Sequence, residues 1–108
     1  MKLTKKIKKE WLAALKGGEY KQGFAQLRTN SDGSHCCLGV LACVKGWEID
    51  KKGDCLVGRA GYNPFRDLLG EKRVDRLYQV NDSGSRIPEY PRDYSNVIPI
   101  IKSFPTID

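Results

Sequence analysis

The sequence predicts a mainly helical α+β domain with about three to four helices and one short β-hairpin. Two observations predict the helices: apolar residues recur at helical spacing in 3–15 and 71–80, and the segment 35–45 is apolar nearly all round. Two short apolar runs on either side of a glycine turn in 47–57 predict the hairpin. The 108 residues, 40% of them hydrophobic and 30% charged, suit one folded domain that spans 1–108.

The first predicted helix runs from about Thr4 to Lys16. Thr4 suits the N-cap position, because its hydroxyl can accept a bond from a free amide of the first turn, and Gly17-Gly18 ends the helix. Trp11 lies in the apolar stripe, which favours packing on the domain's own core over binding to a membrane surface. Four lysines lie toward the other side of this helix: Lys2, Lys5, Lys6 and Lys9.

The positive charge of the chain is concentrated near the N-terminus. The formal net charge is +6. Residues 1–30 carry eight Lys or Arg and two Glu, whereas the other 78 residues carry eleven of each sign. A localised positive field favours anionic partners, such as a nucleotide, a nucleic acid or an acidic protein. The alternative interpretation is that the lysines only keep a surface helix in solution.

The second predicted helix covers about 35–45 and follows a turn at 30–34. Ser34 is expected to cap it. A helix that is apolar nearly all round is normally buried at the centre of a domain. Gly39 inside this helix costs about 1 kcal/mol relative to alanine. We therefore expect another backbone segment, or a ligand, to approach closely at Gly39.

The second half of the chain alternates turns with short apolar segments. A helical turn is expected over 64–69, a third helix over 71–80 and a turn over 81–85. In the last segment Pro99 is expected to break or kink a helix over 94–103. The apolar side chains of this segment are expected to close the core or to form an oligomer contact.

Four cysteines are expected to pack as small core residues: Cys36, Cys37, Cys43 and Cys55. The sequence shows no export signal and no run long enough to span a membrane, so we expect a cytoplasmic protein with reduced thiols. A zinc site built from His35, Cys36, Cys43 and Cys55 would lack the usual pair of ligands two to four residues apart on a turn. Cys36 is the candidate for a catalytic thiolate, because His35 adjoins it. We expect no metal and no cofactor, and we favour a binding protein over an enzyme.

Several short motifs stand out along the chain: Tyr20-Lys21-Gln22-Gly23, Leu27-Arg28, Cys36-Cys37-Leu38-Gly39-Val40-Leu41 and Asn81-Asp82-Ser83-Gly84. In this order they resemble a pattern in a family of small bacteriophage and prophage proteins without an assigned function. The resemblance extends from Trp11 to Gly84 but is continuous only over 20–43. It implies a small accessory protein of phage type, of the kind that acts on host pathways in host takeover or anti-defence. Pro88, Pro91 and Pro99 depart from the pattern, in which the last motif precedes a final helix.

The loop before the second helix is the main candidate for a ligand site. Its lysine, glutamine and arginine side chains supply N–H donors that suit a phosphate or carboxylate, and they precede a helix N-terminus with its partial positive charge. An aromatic side chain in this loop could stack on a base. The sequence therefore predicts that the protein binds and sequesters an anionic, nucleotide-type ligand. The predicted site residues are Tyr20, Lys21, Gln22, Phe24, Gln26, Arg28, His35, Asn81, Asp82 and Ser83.

The lysines of the first helix predict two other functions. In one, the face formed by Lys2, Lys5, Lys6 and Lys9 binds an acidic surface of a host protein and inhibits it. In the other, this face binds nucleic acid without specificity. The face has no interleaved aromatic residues and the chain has no arginine-rich reading helix, which argues against nucleic acid. We expect no membrane partner, and the apolar C-terminal segment predicts self-association.

Overall fold

The described part of the chain folds around one buried helix. The structure is a computed structural model that describes residues 2–58, 64–85 and 91–107. These residues form five helices and one two-stranded antiparallel ladder, which confirms the predicted class, mainly helical α+β. In chain order the elements are α1 (Lys5–Lys16), β1 (Arg28–Thr29), β2 (Ser34–His35), α2 (Cys37–Lys45), α3 (Pro64–Leu69), α4 (Glu71–Asp82) and α5 (Ile98–Lys102).

Helix α1 begins and ends where the sequence predicts. Thr4 Oγ1 accepts a hydrogen bond from Ile7 N at 3.2 Å, and Gly17 is the C-cap. Trp11 is fully buried, and its Nε1 donates to the Cys37 carbonyl oxygen at 2.9 Å. The apolar stripe therefore packs on the protein's own core, as predicted, and this hydrogen bond fixes α1 against the start of α2.

Helix α2 is the centre of the core. Its residues from 37 to 42 are all buried, which confirms the prediction from its composition. A Cβ on Gly39 would lie 1.9 Å from the Leu27 carbonyl oxygen, so the close approach expected at this glycine is made by backbone. The predicted N-cap is wrong. Ser34 belongs to β2, and Cys36 takes the cap position, where its sulfur accepts a bond from Gly39 N at 3.4 Å.

The antiparallel ladder lies on either side of the turn at 30–33, where the sequence analysis predicted no strands. β1 and β2 pair through two residues each. The predicted hairpin over 47–57 contains one isolated antiparallel bridge instead of two strands. The turn of that segment packs against β1, where Arg28 N donates to the Gly53 carbonyl oxygen at 3.1 Å. A Cβ on Gly53 would lie 1.9 Å from the Arg28 carbonyl oxygen, so this contact requires glycine.

The C-terminal half adds three helices. Helix α3 occupies the predicted positions, and α4 continues to Asp82, two residues beyond its predicted end. The expected break at Pro99 is wrong, because α5 begins at Ile98 and its first turn tolerates proline, which lacks only an amide that has no helical partner there. Pro88 lies outside the described residues.

The apolar C-terminal segment closes the core of its own chain. Val97, Ile101 and Phe104 are buried against the other helices. Self-association through this segment stays a prediction. No helix within 2–58, 64–85 and 91–107 is long and apolar enough to cross a membrane.

The contact between Gly39 and Leu27 gives the first testable prediction. We expect Gly39→Ala to lower the free energy of unfolding by about 3 kcal/mol, because the new methyl group overlaps a backbone oxygen that cannot move without displacing β1. The control is Gly58→Ala, where a Cβ would meet nothing within 4 Å. Its only expected cost is the strain of alanine at a φ of 72°, about 1 kcal/mol of unfolding free energy. Urea unfolding of both variants measures the difference. A smaller loss for Gly39→Ala than for Gly58→Ala would contradict the prediction.

Candidate functional site

The side chain of Gln22 is at the centre of a buried polar network. Gln22 is fully buried, and its Nε2 donates to Asn81 Oδ1 and to Asn96 Oδ1, both at 2.9 Å. Its Oε1 accepts from Tyr94 N at 2.9 Å. Both polar atoms of the Gln22 side chain are therefore hydrogen-bonded to protein groups, and these bonds join the loop after α1 to α4 and to the segment before α5. This network, formed by Gln22, Asn81, Asn96 and Tyr94, is called the amide network below.

Asn81 connects the amide network to the central helix. Its Oδ1 also accepts from Cys37 N at 3.3 Å, and its Nδ2 donates to the Gly23 carbonyl oxygen at 2.9 Å and to Asp82 Oδ1 at 3.0 Å. Asp82 in turn accepts from Ala25 N at 3.0 Å. Each polar atom of the Asn81 side chain thus has a protein partner, although the residue is fully buried.

The segment before α5 is attached to the loop after α1, and to β2, by four further contacts. Arg92 Nε donates to the Gln22 carbonyl oxygen at 2.7 Å, and Gln22 N donates to the Arg92 carbonyl oxygen at 3.2 Å. Tyr94 Oη donates to the His35 carbonyl oxygen at 2.7 Å and lies 3.1 Å from that of Lys21. Tyr94 and Ala25 both have a φ of 66°, which is a strained value for residues other than glycine. The Tyr94 amide donates to Gln22, and the Ala25 amide donates to Asp82, the neighbour of Asn81. The network holds the backbone in these conformations.

Two of the predicted ligand donors bind the turn of 50–54 instead of facing an open pocket. Gln26 Nε2 donates to Asp54 Oδ1 at 2.9 Å and to the Lys52 carbonyl oxygen at 3.2 Å. Arg28 Nη2 donates to the Asp50 carbonyl oxygen at 2.8 Å, and its Nε donates to Asn30 Oδ1 at 3.0 Å. Their side chains hold this turn against β1.

The remaining predicted ligand residues are spread around the loop. Lys21 is exposed, and the ring of Tyr20 meets that of His35 edge-on at 5.3 Å between centroids. Phe24 lies under the Arg92 guanidinium, 5.4 Å from its carbon, and Ser83 Oγ donates back to the Val80 carbonyl oxygen at 2.6 Å. Gln22, Asn81 and Asp82 lie close together, but they contact one another and the backbone.

The N-terminus of α2 is buried and occupied. Cys36 and Cys37 are each 1% exposed, and the first amides of the helix bond to Cys36 Sγ and Asn81 Oδ1. An anion could not reach these amides without displacing the asparagine. Side chains of the protein therefore occupy the place that the sequence analysis assigned to a phosphate or carboxylate.

The cysteines divide into two pairs. Burial raises the pKa of Cys36 to about 11 and also raises that of Cys37, so both thiols stay protonated near neutral pH and neither suits a thiolate nucleophile. Cys43 and Cys55 are exposed, so the prediction that all four are core residues is wrong for these two. Within the described residues no group of three or more His, Cys, Asp or Glu side chains is placed to hold a metal ion.

The lysine-rich side of α1 borders an open groove of about 570 Å³. We call it the α1 groove. Its lining residues are Lys5, Lys8, Lys9, Leu12, Ala13, Lys16 and Thr106. Of the four lysines predicted as a partner face, Lys5 and Lys9 line the groove, whereas Lys6 lies 4.0 Å from Glu10 and Lys2 lines another cavity. Lys8 has a structural part, because its Nζ donates to the carbonyl oxygens of Lys102 and Phe104, both at 2.7 Å.

The predicted lysine face lacks Lys8 and Lys16, which line the groove, and Lys102, which lies beside Lys16. Lys16 shares a helix face with Lys5 and Lys9, so the helical period alone could have found it. Lys102 belongs to α5, and only the tertiary fold brings it to α1. The positive charge of Lys102 lowers the pKa of Lys16, with a further contribution from burial, so the two ammonium groups lie close enough to repel.

A family model described as a domain of unknown function (DUF8296) matches residues 3–102. No curated protein and no solved structure matches the chain.

Asn81 gives the second testable prediction. We expect Asn81→Ala to lower the free energy of unfolding by at least about 3 kcal/mol, because it leaves the Gly23 carbonyl and the Cys37 amide buried without this partner. Gln79→Ala, an exposed position on the same helix, is the control and should change stability by less than about 0.5 kcal/mol. Chemical unfolding measures both. Equal losses would show that Asn81 does not hold the network.

The third prediction concerns His35. Among the described residues, its Nδ1 is the one buried side-chain nitrogen or oxygen without a hydrogen-bond partner. Burial lowers its pKa below the ordinary 6.5; the Gly33 backbone opposes this shift and the charge of Arg28 adds to it. The folded state therefore favours the neutral His35 ring over the charged one. The stability of the fold is not reduced by His35 above pH 6.5, where the ring is neutral in both states, and it falls as the pH drops below 6.5 and the unfolded chain takes up a proton more readily.

The measurement is the urea midpoint of wild type and His35→Gln between pH 7.5 and 5.5. We expect the wild-type midpoint to fall more steeply with decreasing pH, because glutamine does not titrate. Parallel pH profiles for the two proteins would contradict this prediction.

Proposed function

The chain belongs to the DUF8296 family, and from its geometry we propose that it is a non-enzymatic protein that binds an acidic surface of another protein through the α1 groove. The observation that carries this proposal is the composition of the groove. None of the described residues that line it is acidic, and four of them are lysines. Such a surface attracts an anionic partner and accelerates encounter with it.

The groove combines charge with an apolar strip. Leu12 is half-buried and Ala13 is exposed, and the lysines lie around them. An apolar centre with a charged rim is the usual arrangement of a protein interface. The positive charge of Lys102 lowers the pKa of Lys16, and a carboxylate of the partner near these two residues would relieve their repulsion.

The contacts of the loop after α1 favour this proposal over a nucleotide-type ligand. Gln22, Gln26 and Arg28, which the sequence analysis offered as ligand donors, bond to protein groups. No aromatic side chain lines the α1 groove among the residues described, which also favours a protein partner over single-stranded nucleic acid.

Under this proposal the chain is a small phage-type accessory protein that acts in the host cytoplasm. Binding to an acidic surface of a host protein, such as a defence enzyme or a nucleic-acid enzyme, would block that protein's own partner. This part of the proposal is supported by the motif pattern of the sequence and by the α1 groove.

The fourth prediction tests the groove. We expect the double variant Lys9→Glu/Lys16→Glu to bind its host protein at least tenfold more weakly than wild type, mainly through slower association, because two attractive charges become repulsive. The control is Lys51→Glu/Lys72→Glu, which changes the net charge equally at exposed positions outside the groove. The host protein is captured from extract, identified by mass spectrometry, purified and titrated against all three proteins by biolayer interferometry.

The same three proteins are titrated against duplex DNA and a nucleotide mixture. The proposal requires weak binding of both by wild type. Equal capture of the host protein by the two double variants would contradict the role of the groove. Tight DNA binding with a steep salt dependence would favour the nucleic-acid alternative. Saturable nucleotide binding that survives Lys9→Glu/Lys16→Glu would favour the ligand site in the loop.

A further inference from the structure

A second cavity lies between the α3–α4 junction, the N-terminal segment and the C-terminal tail. Its volume is about 340 Å³, which is within the range of small-molecule sites. Of the residues that line the α1 groove, only Thr106 also lines this cavity. The cavity is therefore a separate candidate site, and its test does not depend on the proposed function.

One part of the lining is apolar and closed. Leu3, Leu69 and Phe104 are buried and form this wall together with Leu68. The backbone of the tail completes it, since Ile107 N donates to the Leu3 carbonyl oxygen at 3.2 Å. A wall of this kind suits the apolar body of a ligand.

The other part of the lining is positively charged. Among the described residues that line the cavity, three are cations, Lys2, Arg66 and Arg73, and one is a carboxylate, Asp67. Arg66 is engaged by Glu71 and Asp75, at 3.7 and 3.4 Å, so its charge is largely compensated. Arg73 is therefore the main cation of this cavity for pairing with an anion, and Lys2 is the second.

Arg73 is held in place before any ligand binds. Its Nη1 donates to the Leu69 carbonyl oxygen at 3.1 Å, and its guanidinium carbon lies 5.6 Å from the centre of the Phe104 ring. A guanidinium has five N–H donors in a rigid fork, so this bond leaves others for an anion. Because the side chain is already fixed by two contacts, little conformational entropy is lost when an anionic group binds to it.

From these contacts we infer that the cavity binds a small amphipathic anion. Its carboxylate or other acidic head pairs with Arg73 and Lys2, and its hydrocarbon body lies on the wall of Leu3, Leu69 and Phe104. A cation of the same shape is rejected, because it would meet the guanidinium with like charge.

The test uses octanoate below its critical micelle concentration, with octylammonium as the ligand of opposite charge. Isothermal titration calorimetry measures both ligands on wild type, Arg73→Gln and Arg76→Gln. Arg76 is exposed on the same helix and does not line the cavity, so it controls for loss of one positive charge. We expect saturable one-to-one binding of octanoate, at least fivefold weaker for Arg73→Gln and unchanged for Arg76→Gln.

Amide chemical shifts locate the ligand and verify that each variant is folded. We expect octanoate to move the signals of 66–73 and 104–107 and to leave those of Lys9 and Lys16 unmoved. Arg73→Lys, which keeps the charge but not the fork, is expected to bind with intermediate affinity. Non-saturable binding, equal binding of octylammonium, or equal effects of Arg73→Gln and Arg76→Gln would each overturn the inference.

Discussion

The buried pairing of the Gln22 and Asn81 side chains is the interaction on which the rest of the structure depends. Through it the loop after α1, the end of α4, the first turn of α2 and the segment before α5 meet in one place. A buried amide is costly when any of its polar atoms lacks a partner, so four segments must be in position together for the network to be satisfied. The helices are short, and this mutual requirement specifies their arrangement more narrowly than apolar packing alone.

This constraint separates the residues that hold the fold from those available for binding. The motif residues Gln22, Gly23 and Asn81 face inward, as does Gly39, against which the Leu27 backbone packs. The two proposed binding surfaces are the α1 groove and the cavity at Arg73, where the described lining residues carry more positive than negative side chains.

Local rules predicted those parts of the fold that depend on neighbours in sequence. The Thr4 cap, the buried α2 and the position of α3 follow from capping, composition and the place of proline. The strands at 28–35 could not be predicted in this way, because a ladder of two residues per strand has no period to detect. The ladder is stabilised by a distant segment, the turn at Gly53 that packs on β1. Gln22 was predicted to bind a ligand, because the sequence does not show whether the partner of a glutamine amide is a phosphate or another side chain, here Asn81. Lys102 joined the basic surface only through the packing of α5 on α1.

The measurement that tests this account most directly is a double-mutant cycle on Gln22→Ala and Asn81→Ala, with the free energy of unfolding of all four proteins measured in urea. If the two side chains act as one buried unit, the losses are strongly non-additive, with a coupling energy of about 1–3 kcal/mol. If each residue instead serves an open ligand site, the two losses are small and add to within about 0.5 kcal/mol. That second result would contradict the claim that the motifs hold the fold together.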